Sequence, residues 1–419
     1  MELDYKKNQS SFYGQIPNDW LVCSFEDVLD GFSSGMTPYR GKPEFYKGNI
    51  PWITSGELNY NTISDTHEKI TKEAVIKTNL KILPIGTFLM AITGLEAAGT
   101  RGSCGITGIK ATTNQSCMAL FPKDGKILSK YLYYFYVKYG NVLALKYCQG
   151  TKQQSYTGRI VKILPINLPP NIEEQKSIAA ALSDIDELIT GLEKLISKKK
   201  DIKRGAMQQL LTPPQKGGKR LPGFSGDWVE KRLGDLTSMS SGGTPSSKNS
   251  KYYDGQIIWV SITDISNSGK YISDSSKKIT NIGLQNSSAK IFTKNTLLLA
   301  MYASIGKCCI TTKEVSTSQA ILGINTAKEL STEFLYYFFL FKQKELASQG
   351  QQGAQSNLNK AMVQDILIST PEIVEQQEIA KALRDMDGEI TQLETKKEKY
   401  ENIKQGMMQE LLTGKTRLV

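Results

Sequence analysis

The segment KRGAMQQLLT at residues 203–212 returns as KQGMMQELLT at residues 404–413, 201 positions later. Walking backwards, EEQKSIAAALSDIDELITGLEKLI (173–196) lies over VEQQEIAKALRDMDGEITQLETKK (374–397) at the same offset and without a gap. Between Glu174 and Thr212, 21 of 39 positions are identical to their partners, so the chain carries an internal duplication. The rest of each half repeats more loosely: SSGMTP (33–38) with SSGGTP (240–245), YKGNIPW (46–52) with YDGQIIW (253–259), GSCGIT (102–107) with GKCCIT (306–311), and LYYF (132–135) with LYYF (335–338). There the offset drifts through 207, 204 and 203, the mark of insertions and deletions in loops. Such a chain must build one unit twice, a variable globular part followed by a rigid part of preserved length.

In the rigid part apolar residues fall at Ile178, Leu182, Ile185, Ile189, Leu192 and Ile196, and in its copy at Ile379, Leu383, Met386, Ile390 and Leu393. Steps of four and three average 3.5 residues, the period of a coiled-coil seam. Both runs slip phase at Ile202 and Ile403, as a stutter would. No proline interrupts either run, and about forty helical residues extend about 60 Å. Two matched seams in one chain pair most simply with each other. The helix ends carry more apolar surface than one seam uses. Met207, Leu210 and Leu211, with Met408, Leu411 and Leu412 in the copy, cover more than one face and are expected to dock a second protein, twice.

The 419 residues divide accordingly into an N-terminal tail (1–17), a globular domain (18–170), a helix (171–212), a linker (213–222), a second globular domain (223–372), a second helix (373–413) and a short tail (414–419). Each globular part, about 150 residues, is large enough for its own core. Each begins near a tryptophan turn (NDW, 18–20; GDW, 226–228) and mixes β-rich runs such as NIPWIT (49–54) and QIIWVSI (256–262) with aromatic helical runs, YLYYFYV (131–137) and FLYYFFLF (334–341). Ser129 and Ser331 stand where they can cap those helices. The fold class is therefore α+β, two globular domains related by duplication and joined to two long helices. The aromatic runs are too short to span a bilayer and MELDYKKNQS lacks the apolar core of a signal peptide, so a cytoplasmic protein with no membrane partner is expected. Six cysteines without CxxC spacing argue against a zinc framework.

A net charge of +11 implies an anionic partner. Polar loops in both halves supply donors suited to phosphates and base edges. The candidate DNA contacts are Thr37, Tyr39, Arg40 and Lys42 in GMTPYRGK (35–42), Thr244, Ser246, Ser247 and Lys248 in GGTPSSKNSK (242–251), Lys152, Gln153 and Gln154 in GTKQQS (150–155), Gln355, Ser356 and Asn357 in GAQSNLNK (353–360), and Arg101 and Lys307. Catalytic signatures are missing. The one histidine, His67, has no histidine as its repeat counterpart, and reads as a surface residue. The two Pro-Pro pairs read LPPN and TPPQ, which excludes the adenine-methyltransferase signature, and Met301 stands where the first glycine of a GxxxxGK phosphate loop would be. No catalytic residue, metal ligand or cofactor is assigned to this chain.

Two variable domains, each followed by a near-identical helix opening with EQxxIAxAL and ending in KxGxMQxLLT, resemble the specificity subunit of type I restriction-modification systems. The carriers are Glu174, Gln175, Ile178, Ala179, Leu182, Asp184, Asp186, Gly205, Met207, Gln208, Leu210, Leu211 and Thr212. They recur as Glu375, Gln376, Ile379, Ala380, Leu383, Asp385, Asp387, Gly406, Met408, Gln409, Leu411, Leu412 and Thr413. The Thr-Pro loops, with Gln115 in TNQS and Gln319 in TSQA, also resemble the family's target-recognition domains. The resemblance covers essentially the whole chain. It implies that each globular domain reads one half of a bipartite, asymmetric site on double-stranded DNA, and that the two helices form an antiparallel coiled-coil spacer. It also implies that two modification (methyltransferase) subunits dock there with S-adenosylmethionine to methylate adenine, while restriction subunits add ATP- and Mg-dependent translocation and cleavage. One departure is YTGR (156–159), where the second half has LNKA. Two other readings stay open at this point: a specificity chain of another multisubunit restriction class, and a coiled-coil scaffold with no DNA role.

Overall fold

The computed structural model describes residues 16–150, 154–349 and 357–418. Lys152, Gln153, Gln355 and Ser356 lie outside the described residues. The chain divides into two compact units, Met1–Glu193 with Lys396–Val419, and Lys194–Thr395. Each unit takes the globular part of one repeat, the start of the helix that follows it, and the end of the helix belonging to the other repeat.

In the first unit a five-stranded sheet runs in the order Leu29–Ser34, Cys117–Pro122, Phe88–Ala91, Cys104–Thr107, Asn61–Ile63, antiparallel except for its last pair. The central strand Phe88–Ala91 is buried at all four positions, as a strand covered on both faces must be. A smaller sheet joins Glu68–Ile70, Ile50–Ile53 and Thr112–Thr113, and Leu21–Ser24 pairs with Pro165–Leu168. The second unit repeats this topology. Its five strands are Thr237–Ser241, Ile321–Thr326, Leu297–Ala300, Cys308–Thr311 and Tyr271–Ile272, again with a parallel last pair. Its smaller sheet gains a fourth strand, Ile291–Phe292, where the first unit has an isolated bridge between Leu83 and Ala111.

Helix α1 (Ser129–Tyr147) buries Tyr131, Leu132, Tyr133, Tyr134, Phe135 and Tyr136, six consecutive side chains, so apolar residues surround it as they do a core helix. Ser129 is inside this helix rather than capping it. The preceding Leu128 N–H is satisfied instead by Gln175 Oε1 at 3.1 Å. The long helix α2 spans Ile172–Leu210, α3 spans Thr332–Gln349, and the second long helix α4 spans Ile373–Leu411. At α3 the expected cap is present, with Ser331 Oγ accepting from Phe334 N.

The long helices pair antiparallel inside each unit. In the first, Lys404 lies 2.6 Å from Asp186 and Lys397 lies 3.0 Å from Glu193, so one helix ascends as the other descends. In the second, Lys203 meets Asp387 at 2.5 Å and Lys199 meets Glu389 at 2.6 Å. The seam residues Ile178, Leu182, Ile185, Leu192, Ile196, Ile379, Leu383 and Ile390 are buried. Where the period slips, Ile202 and Ile403 are 47% and 38% exposed, so the seam leaves that face.

The apolar helix ends correct one expectation. Met207 and Leu211 are buried in a core with Trp228, Leu233, Phe334 and Ile368, and Leu210 is partly buried against it. Met408, Leu411 and Leu412 are buried with Trp20, Phe25, Ile166 and Leu168. These residues are not a free docking surface. Each helix end completes the core of the other repeat's globular part, which uses the apolar excess. A fully buried leucine such as Leu412 contributes about 1.5–3 kcal/mol by burial alone.

The Glu-Gln pair that opens each long helix has a matching structural role. Gln175 Nε2 donates to Lys126 O and Pro169 O, both at 3.0 Å, and Gln376 Nε2 donates to Glu329 O and Pro371 O, both at 2.9 Å. Glu174, 1% exposed, is bound by Arg417, which also reaches Asp19, and Glu375, also 1% exposed, is bound by Arg220. A buried carboxylate is tolerable only with such a fork of donors. Both arginines lie beyond the end of the opposite repeat's helix, so helix start and helix end are fastened to one another in each unit. Among the described residues no helix is long and apolar enough to cross a membrane.

Candidate nucleic-acid interface

In the first unit the loop 35–42 follows the edge strand Leu29–Ser34 and lies against Trp52 and Thr113 of the smaller sheet. Three side-chain contacts hold it. Trp52 Nε1 donates to Met36 O at 3.1 Å, Tyr46 OH donates to Pro38 O at 2.6 Å, and Thr37 Oγ1 donates to Gln115 Oε1. Gly35 permits the close approach, since a Cβ there would stand 1.8 Å from Thr113 O. The second unit builds the same clamp on Gly242–Lys251. Trp259 Nε1 donates to Gly243 O at 3.0 Å, Tyr253 OH to Pro245 O at 2.5 Å, and Thr244 Oγ1 to Gln319 Oε1. A Cβ on Gly242 would stand 2.1 Å from Thr317 Oγ1.

Beside the clamp the units differ. Arg40 forks onto Glu68 at 2.5 and 2.8 Å and lies 4.2 Å from the Tyr46 ring centroid, and its hydrogen bond holds the Glu68 carboxyl below the usual carboxylate range. At the corresponding positions the second unit has Ser247 and Lys277, so the Arg40–Glu68 pair has no counterpart there.

Residues 17–204 and 225–405 match the family model described as the type I restriction modification DNA specificity domain. The chain belongs to this family. The match occurs twice, once in each repeat, in agreement with the duplicated topology. The type I restriction enzyme MjaVIII specificity subunit of Methanocaldococcus jannaschii is 25% identical over 434 residues, covering 100% of this chain and 98% of the relative. The MjaIX specificity subunit of the same organism is 31% identical over 180 residues, 42% of each chain. The fold is similar to the crystal structure of the type I restriction-modification system S subunit from M. genitalium, with a TM-score of 0.62 at 16% identity over 95% of this chain and 98% of that one. The chain is thus a specificity subunit with DNA-recognition domains, and a non-catalytic one.

The specificity subunit places its candidate contacts unevenly. Tyr39 is 71% exposed, and Lys42, Ser246, Ser247, Lys248 and Lys307 are exposed on loops. Thr37 and Thr244 are held in the clamps. Arg40 is exposed yet engaged by Glu68. Arg101 is turned back on its own loop, donating from Nε to Leu95 O at 2.8 Å and from Nη2 to Glu96 O at 2.7 Å. Gln154 is tied to the same loop by its backbone, its N–H meeting Glu96 Oε2 at 2.9 Å. Asn357 is half-buried. His67 is exposed, and its backbone N–H donates to Glu57. All six thiols are free, and burial pushes Cys23 and Cys309 up to about 12, which leaves them poor nucleophiles. Sequence reasoning named Gln115 and Gln319 as family-like but assigned them no contact. The signal available was their recurrence at matching places in the two repeats, in TNQS and TSQA.

Proposed function

We propose that each globular domain reads one half of a bipartite, asymmetric site on double-stranded DNA, and that the paired helices fix the distance between the half-sites. Two methyltransferase subunits assemble on the chain and bring S-adenosylmethionine for adenine methylation. Restriction subunits add ATP- and Mg-dependent translocation and cleavage, and this chain itself binds none of these cofactors. With the helix ends buried, the exposed polar faces of α2 and α4, including Lys194, Lys198 and Lys396, are the surface left for protein partners.

The observation that carries this reading is the contrast between gapless helices and drifting loops. A reading head can change by loop substitution, whereas a spacer that changed length would misplace both heads at once. The reciprocal Lys404–Asp186 and Lys203–Asp387 pairs support a fixed helix register. The unlike loop chemistry beside the two clamps supports unlike half-sites. Sequencing of methylated adenines in cells expressing this chain with its methyltransferase subunits tests the reading. The expected result is one gapped, non-palindromic motif with an adenine in each half. A continuous palindromic motif, or no motif that depends on this chain, would overturn it.

A further inference from the structure

The two clamps are chemically the same although the loops around them are not. In each, the threonine hydroxyl occupies the oxygen of the glutamine side chain, which fixes the orientation of the amide. The other end of that amide, its NH2 group, has no partner among the described residues, and both Gln115 and Gln319 are exposed. Two oriented donors therefore stand at the surface of each head at equivalent positions, beside the loops that carry the candidate contacts.

A device identical in two heads that read different half-sites cannot be what tells those half-sites apart. What the half-sites share at every position is the sugar-phosphate backbone. We propose that Gln115 and Gln319 are phosphate anchors, each donating from its side-chain amide to a backbone phosphate of its own half-site, while residues that differ between the heads, such as Arg40 and Lys277, discriminate bases. This rests on the DNA-reading role proposed above. A neutral donor at this place fixes the register of each head without committing it to a base. The same anchor therefore serves both heads while the flanking loops diverge.

The test uses the full-length chain assembled with its methyltransferase subunits and duplexes carrying the site assigned by methylation sequencing, each with one phosphate replaced by a methylphosphonate. The unaltered chain should lose affinity about tenfold at one phosphate per half-site, the size expected of a hydrogen bond to a charged group. Gln115→Leu should bind both specific and random duplexes about tenfold more weakly and lose its sensitivity at the first of those phosphates only. Gln319→Leu should do the same at the other. Gln115→Glu keeps an oxygen for Thr37, so the loop stays clamped, and should also lose that phosphate sensitivity. The methylated sequence should not change in any variant.

Retention of every phosphate sensitivity by Gln115→Leu and Gln115→Glu, at native affinity, would overturn the anchor and leave the clamp a loop fastener. A changed base in one methylated half-site would overturn it in favour of base reading. Failure of the unaltered chain to bind duplex DNA with any site preference would instead defeat the DNA-reading role itself.

Discussion

Lys404 on the second long helix places its Nζ 2.6 Å from Asp186 Oδ1 on the first. The same carboxylate accepts from Tyr134 OH at 2.9 Å, which joins helix α1 to the pair. The duplication repeats all three groups with the repeats exchanged: Lys203 of the first long helix meets Asp387 of the second, and Tyr337 OH donates to that carboxylate at 2.7 Å. The aspartate of each repeat is thus neutralised by the lysine of the other. This is the arrangement an antiparallel pair of duplicated helices can satisfy in both units with one set of residues.

The lysines of these pairs are 16% and 15% exposed, so the pairs are worth more than open surface bridges. Asp186→Ala leaves an ammonium and a phenol without their shared acceptor and should lower stability by about 1–3 kcal/mol. Asp387→Ala should do the same, and the two effects should add, since they share no partner. Denaturant melts of the single and double variants measure this. A double variant as stable as the parent would remove the pairs from the account.

Leu412 is fully buried in the first core and Met207 is 7% exposed in the second. Leu412→Ala should therefore cost about 2–5 kcal/mol of stability by cavity formation, with protease sensitivity rising first in the first unit. Limited proteolysis with mass mapping reads this. Unchanged protection together with loss of a bound subunit would restore the idea that these side chains face a partner.

Lys138 donates to Met408 O at 3.0 Å near the end of α4. Burial pushes its ammonium down to about 8, against a smaller opposing effect from the Glu410 charge. The unfolded chain, with an ordinary lysine near 10.5, then binds more protons than the folded chain between about pH 8 and pH 10.5. The contribution of this lysine should rise with pH across that window and be flat below it. Subtracting the stability curve of Lys138→Met from that of the parent isolates the effect. A difference that falls with pH over the same window would contradict the sign.

Gly35 and Gly242 let their loops lie against Thr113 and Thr317. Gly35→Ala puts a methyl group into backbone carbonyl oxygen, so the loop must shift. It should change or abolish recognition of one half-site while the other is read as before. Gly242→Ala should have the mirror effect. Methylation sequencing scores both, and loss of preference at both half-sites from one substitution would argue against independent heads.

The duplication, the two long helices and their seam were legible in the sequence because a 3.5-residue period and a constant offset survive without any tertiary knowledge. The destination of the helix ends was not. Met207, Leu211, Met408 and Leu412 announce that more than one face is buried, but periodicity does not say against what, and the answer lies in the other repeat's core. The Thr-Pro loops were found, while the bond from Thr37 to Gln115 spans 78 positions and leaves no local pattern. Arg101 reads as a phosphate donor by residue type. Its guanidinium instead braces the Leu95–Glu96 backbone, a choice set by the path of its own loop.

The claim that the paired helices measure the gap between half-sites is tested most directly by lengthening both together. Four residues inserted after Leu195 and four after Thr395 preserve every ion pair on either side, because those points face one another in the antiparallel register. Each insertion adds about 6 Å of helix and turns the seam by only about 40°. With a rise of about 3.4 Å per base pair, methylated adenines in cells carrying this variant should move apart by about one or two base pairs, with both half-site sequences unchanged. An active variant that methylates the original spacing, or that alters the half-sites themselves, would contradict the account.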